Sequence, residues 1–200
     1  MNDRFYNLTG EKQDKMINGA VKVFALQGYT RASTDVIIRE AGISKGLLFH
    51  YFGSKKNLYE FVCEYCSRYY ILEMSAGIPN TERNLFDRIH LAELQKIRML
   101  EKYPYLELFI LGMKGEADSE VAAFAGEWST KIQEMEDSVI YSAADEALLR
   151  GNLNLERARE ITGLCMDGYK LKRYSRGEDP SAILEGFLPY LETLKVNMTR

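Results

Sequence analysis

The stretch TDVIIREAGISKGLLFHY, Thr34 to Tyr51, constrains what this chain can fold into more than any other. Val36, Ile37 and Ala41 recur at helical spacing. Gly42 then stands where a helix stops in the left-handed conformation, which glycine adopts without steric cost. Ile43 is apolar and suits the corner between two crossing helices. Ser44 is placed to cap the next helix by accepting from its orphan N–H groups, and Leu48 points back into the same small core. Helix, glycine turn and second short helix make a helix-turn-helix, whose second helix enters the major groove of DNA.

Two amphipathic helices around a glycine are common in helical proteins, so the flanks matter. Lys55 and Lys56 follow Ser54 at the start of the next predicted helix. A helix N-terminus carries partial positive charge, so two lysines there cost a few tenths of a kcal/mol each unless an anion such as a phosphate faces them. Lys45 and His50 lie on the second helix of the motif, and Thr34 and Tyr51 add hydroxyls.

At these residues the chain resembles a known family. AGISKGLLFHYFGSKKNL is similar to the signature of the tetracycline-repressor (TetR) family of bacterial regulators, and FALQGYTRASTDVII is similar to that family's first-helix end and second-helix start. The resemblance covers about the first quarter of the chain. It departs at Leu47, where the family commonly has Thr, at Phe49 (Tyr), at Ile38 (Ala) and at Lys56 (an acid). Phe49 lacks a hydroxyl for a phosphate, and Leu47 offers apolar contact of the kind a thymine methyl accepts. These departures bear on the operator sequence.

The resemblance implies an all-α protein. A three-helix, helix-turn-helix DNA-binding domain would occupy residues 1–53, and a helical effector-binding and dimerisation domain residues 54–200. It implies a transcriptional regulator, a repressor by preference, that binds a pseudo-palindromic operator as a homodimer and is released by a small apolar or aromatic effector. Lys45, Gly46, Leu47, Phe49 and His50 would enter the major groove, with Thr34, Tyr51, Lys55 and Lys56 on phosphates. Gly46 matters because a missing side chain lets the helix backbone approach the DNA.

Charge supports a localised contact. The net charge of the chain is -3, yet residues 1–56 hold nine Lys and Arg against five Asp and Glu, which leaves +4 there and -7 on the rest. A basic head on an acidic body is the asymmetry of a protein that touches nucleic acid at one end. The N-terminal MNDRFYNLTGEKQDK has no apolar leader segment, and the apolar patch around Leu108–Leu111 is far too short for a membrane span. With three cysteines and no leader, the expectation is a reducing cytoplasm and no membrane partner. Cys63 and Cys66 share a helix face, but a zinc site needs two further ligands, and both histidines stand in unrelated contexts. Buried thiols are the expectation, with no metal and no cofactor.

Helical periodicity continues to the C-terminus. Residues 1–8 read as a loose arm from which Arg4 has the reach for a groove. Helices are predicted over 10–27 with Thr9 as cap, 54–75, 81–103, 105–113, a long one from Asp118 or Ser119 to about Leu149, 154–175 with Asn154 as cap, and a last one from Pro180. Gly126 is a candidate bend, and Pro189 inside the last helix predicts a kink. No strand pattern is present.

The chain has 13 Tyr, 9 Phe, 8 Met and one Trp. Such side chains line pockets for small apolar ligands. The resemblance places an effector among the body helices, which singles out Tyr65, Tyr69, Tyr103, Phe109, Met113, Phe124, Trp128, Met166 and Tyr169. For each, plain core packing is the commoner role. The last two helices mix small and apolar positions, and Ile161, Cys165, Gly168, Leu184, Phe187, Leu188 and Leu191 are the candidates for a two-fold interface; the alternative is a monomer whose last helices close its own core. An enzyme is the competing class, yet G-x-S-x-G, H-E-x-x-H, P-loop and dinucleotide motifs are all missing. His90 stands alone on an ordinary helix. A DNA-binding dimer with no small ligand is the other alternative.

Overall fold

The computed structural model describes the backbone of residues 3–200 and the side chains of residues 5–200. Among these residues the regular structure is helical, and an isolated antiparallel bridge between Leu149 and Thr199 is the one extended pairing. The helices are α1 (Asp3–Tyr6), α2 (Gly10–Arg31), α3 (Thr34–Ala41), α4 (Lys45–Phe52), α5 (Lys55–Gly77), α6 (Leu85–Lys102), α7 (Leu106–Lys114), α8 (Ala122–Glu136), α9 (Leu155–Tyr174) and α10 (Pro180–Met198). They form two compact units. One comprises Met1–Tyr70 with Leu100–Ile132, the other Ile71–Met99 with Gln133–Arg200.

In the first unit the glycine turn forms as its residues dictate. Gly42 sits at φ 63°, and Ile43 N–H donates to the Ile38 carbonyl at 3.1 Å, which closes the end of α3. The Ser44 hydroxyl accepts from Leu47 N–H at 3.2 Å and caps α4. Ile37, Ala41, Leu48 and Phe52 are buried, as are Ile17, Ala20, Val21 and Phe24 of α2. A Cβ on Gly19 would lie 2.7 Å from the Cβ of Ala41, so α2 and α3 cross at a distance that glycine alone permits. Beyond that crossing the core is aromatic: Phe24, Tyr29 and Phe109 surround Tyr59, with ring centroids 4.9 to 5.9 Å away.

Several features of the structure differ from the sequence expectation. First, α2 runs past Gly28 to Arg31, with the helical path interrupted at Gly28. Second, the N-terminal segment is anchored. Phe5 is wholly buried, with its ring 4.8 Å from Phe61, 5.9 Å from Phe52 and 6.2 Å from Tyr65. A single phenylalanine in a polar run has no periodicity to betray it. The Arg4 side chain lies outside the described residues. Third, α8 ends at Glu136, and a π turn (Asp137–Tyr141) and a 3-10 turn (Glu146–Leu148) replace the expected continuation.

The segment that follows α8 belongs to the second unit. Arg88 is fully buried, and its guanidinium donates to the carbonyls of Pro79, Glu82, Val139 and Ile140. These contacts tie the π turn after α8 to the start of α6. In the same unit the Glu93 carboxylate is 1% exposed and lies 2.8 Å from Lys170 of α9 and 3.1 Å from Lys96. Asn154 and Asp179 cap α9 and α10 by accepting from Arg157 N–H and Ala182 N–H. Pro180 occupies the first turn of α10, which runs without interruption through Pro189.

Candidate nucleic-acid interface

The head presents α4 to solvent. Its inner positions Leu48 and Phe52 are buried; Lys45, Gly46, Phe49 and His50 are exposed, and Leu47 and Tyr51 are half-buried. A Cβ on Gly46 would meet open space, so nothing within the protein crowds the helix backbone there. Thr34 is half-buried in the first turn of α3. The stretch from Ala41 to Tyr59 carries no carboxylate, so the first turns of both α4 and α5 present N–H groups and lysines with no acid among them.

Lys55 departs from the expectation. Its ammonium donates to the Tyr29 carbonyl at 3.0 Å and to those of Thr30 and Ala32 at 3.4 Å, and it lies 4.2 Å from the centre of the Tyr29 ring. A cation over the carbonyl end of a helix is favourable, so Lys55 offsets its position at the start of α5 by capping the end of α2. Lys56 is more open, with Glu60 at 4.0 Å. Sequence reasoning also passed over Asp35, an exposed acid in the first turn of α3 whose carboxylate holds Lys45 at 3.1 Å.

The loop after α7 grips the end of α2. Glu116 accepts from Tyr29 N–H at 3.2 Å, Asp118 from the Thr30 hydroxyl at 2.8 Å, and Glu120 from the Tyr29 hydroxyl. The Asp118 hydrogen bonds, from Glu120 N–H first and Thr30 second, hold its carboxyl below the usual value. Burial, followed by the Glu120 contact, pushes the Tyr29 phenol up.

Seven of the nine aromatic and Met candidates fall in the first unit: Tyr65, Tyr69, Tyr103, Phe109, Met113, Phe124 and Trp128. Met166 and Tyr169 fall in the second. Tyr103 is fully buried, and its hydroxyl donates to Asp14 at 2.9 Å and pairs with the Tyr65 hydroxyl at 3.0 Å. The Tyr69 ring meets Tyr103 edge-on at 5.2 Å. Trp128 lies between Lys131 and Arg68, 4.2 and 5.4 Å from its ring centre. Phe109 and Met113 are core residues. Both thiols of the cysteine pair are buried, and burial pushes each up from its ordinary value.

On α9, Cys165 and Gly168 are exposed, together with Leu164 (69%) and Leu171 (54%). Ile161 is half-buried. On α10, Leu184, Phe187 and Leu191 are buried within the chain's own core and Leu188 is half-buried; Tyr190 and Val196 are exposed. Cys165, Tyr169, Phe187, Tyr190, Thr193 and Leu194 line an apolar cleft of about 300 Å³ on this face.

Residues 16–62 match the family described as bacterial regulatory proteins, tetR family. Among curated proteins, the negative transcriptional regulator IcaR of the biofilm operon icaADBC in Staphylococcus aureus is 35% identical over 57 residues, which are 28% of this chain and 31% of that protein. YerO of Bacillus subtilis, an uncharacterised helix-turn-helix regulator, is 36% identical over 55 residues, 28% of this chain and 19% of that one. The chain thus spans under a third of the length of these relatives. Likeness of fold extends further. The fatty acid degradation regulator FadR of Bacillus halodurans matches over 92% of this chain and 96% of its own, with a TM-score of 0.61 and 17% identity. FadR of Bacillus subtilis, solved in complex with stearoyl-CoA, matches over 88% and 96%, with a TM-score of 0.56 and 16% identity. By sequence the helix-turn-helix head is similar to the tetR family of bacterial regulatory proteins, and the fold is like that of the solved FadR regulators along nearly the whole chain.

Proposed function

We propose that the protein is a cytoplasmic repressor that binds a pseudo-palindromic DNA operator as a homodimer and releases it when a small apolar or aromatic effector binds the body. The observation that carries this reading is the exposed face of α4, with Lys45, Gly46, Phe49 and His50 outward and no acid on the helix. Leu47, Thr34, Tyr51 and Lys56 complete the surface, and Lys55 supports it from behind through the end of α2. The matched negative regulator of the biofilm operon supports repression. Among the described residues no helix is long and apolar enough to cross a membrane, in keeping with a DNA-binding role.

Dimerisation rests on the apolar face of α9 and α10. Leu164, Cys165, Gly168 and Leu171 form a stripe of apolar and small side chains on α9 that its own subunit leaves uncovered. Isologous pairing of that stripe with a second copy buries it, and two-fold pairing is the commonest oligomer symmetry.

The effector site rests on the aromatic group around α5. Lys55 and Tyr69 are fourteen residues apart on that helix, about 21 Å at 1.5 Å per residue. A ligand against Tyr65, Tyr69, Phe124 and Trp128 disturbs the Asp14–Tyr103–Tyr65 chain and tilts the end of α5 that supports the head. It moves the equilibrium only by its differential affinity for the two states, which corresponds to roughly a 5- to 150-fold loss of operator affinity. The structural neighbour with bound stearoyl-CoA makes a long apolar chain a sensible first probe. Trp128 is the sole tryptophan, so its fluorescence follows binding directly. An effector that shifts Trp128 fluorescence should weaken the operator, and operator DNA should weaken that effector by the same factor. An effector whose affinity is indifferent to operator DNA contradicts this mechanism; a body that takes up no small molecule leaves a dimer controlled by other means.

A further inference from the structure

Resting on the DNA-reading role proposed above, we propose that Asp35 is a specificity-determining residue, which holds Lys45 for a base edge and opposes its capture by phosphate. Lys45 opens α4, and Asp35 lies in the first turn of α3, across the glycine turn. Their charged atoms are 3.1 Å apart, and both side chains are mostly exposed, 65% for Lys45 and 72% for Asp35. The recognition helix has no acid of its own, and the sequence holds none from Ala41 to Tyr59. The carboxylate on this surface is thus supplied from the neighbouring helix.

A free lysine ammonium is a compact, mobile point charge that any phosphate attracts, and such contacts raise affinity for every sequence alike. Pairing with Asp35 cancels that charge and restricts the side chain. The acid also occupies the N-terminal end of α3, where its carboxylate is favoured by the helix dipole and where a phosphate would otherwise be drawn. Of the three ammonium N–H donors, Asp35 takes one. Two remain, which matches the adjacent O6 and N7 acceptors of a guanine in the major groove. On operator DNA the pair is satisfied at a guanine. On random DNA the pair must be broken, or a carboxylate brought up to the backbone, and both are unfavourable.

The test compares a selected operator duplex with a scrambled duplex by fluorescence anisotropy over a range of salt. Asp35→Asn should tighten scrambled DNA about tenfold and steepen its salt slope by about one unit per subunit, as Lys45 goes to phosphate. Operator affinity should change less than about threefold, so the preference for operator falls. Asp35→Glu should keep that preference. In a Lys45→Ala background Asp35→Asn should leave the preference where Lys45→Ala alone sets it, because the two residues act as one unit. The proposal is overturned if Asp35→Asn leaves the preference unchanged, if it weakens both duplexes together with a lower melting temperature as a purely structural residue would, or if it acts equally without Lys45. A native protein that does not distinguish the two duplexes overturns the DNA-reading role itself, and this inference with it.

Discussion

Lys55 carries a charge that sequence alone assigns to the outside and that the fold turns inward. Its partners, the carbonyls of Tyr29, Thr30 and Ala32, lie 23 to 26 residues earlier in the chain. No local pattern reveals such a contact. The consequence is a division of labour between adjacent lysines. Lys55→Ala should lower stability by about 1–2 kcal/mol in urea unfolding, because the end of α2 loses its cap. It should weaken operator and random DNA alike while leaving the salt slope unchanged. Lys56→Ala should keep stability within about 0.5 kcal/mol and reduce the slope by about one per subunit. The reverse pattern would return Lys55 to the phosphate. Phe5 was equally hidden, since one aromatic residue among polar neighbours carries no period. Phe5→Ala should cost about 3 kcal/mol by emptying the site beside Phe52 and Phe61. A loss below about 0.5 kcal/mol would mean that the N-terminal segment is held weakly.

At the scale of elements, the helix-turn-helix was legible because each local signal agrees with the others. Gly42 supplies the left-handed turn, Ser44 caps, and Ile37, Ala41 and Leu48 share one face. The path of the chain after α8 was not legible, because its contacts are non-local: Arg88, about fifty residues away, donates to the carbonyls of Val139 and Ile140. Gly19 shows the same limit. In sequence it is a weak point in a helix, and in the fold it is where Ala41 of α3 presses against the backbone of α2. Gly19→Ala should therefore destabilise by about 1–3 kcal/mol, against the helix-propensity gain of roughly 1 kcal/mol that alanine brings elsewhere. A more stable Gly19→Ala protein would contradict the crossing described here. In the second unit, Lys170→Ala should cost about 3 kcal/mol in the same measurement, since it takes a cation from beside the buried Glu93 carboxylate. An unchanged midpoint would show that the pair adds nothing.

For the molecule as a whole, symmetry is the claim with the widest consequences. Three of the seven interface candidates, Leu184, Phe187 and Leu191, are buried in the core of the chain itself, as an apolar helix position does not say which of two neighbours it faces. The uncovered residues Leu164, Cys165, Gly168 and Leu171 carry the case instead. Light scattering should give about 46 kDa, twice the 23.0 kDa chain. A Cβ at Gly168 meets nothing within 4 Å in the subunit, so Gly168→Glu should leave the fold intact and yield monomers with weak operator binding. A 23.0 kDa native species at micromolar concentration would contradict the dimer. Both the reading head and the two-fold axis are tested at once by sequencing the DNA that the purified protein retains from a pool of random duplexes. The account predicts an enriched pseudo-palindrome with half-sites centred roughly 34–36 Å apart, or a multiple of that spacing, and its loss in a Lys45→Ala, His50→Ala variant. Retention without sequence enrichment, or enrichment of a single unpaired half-site, would contradict it.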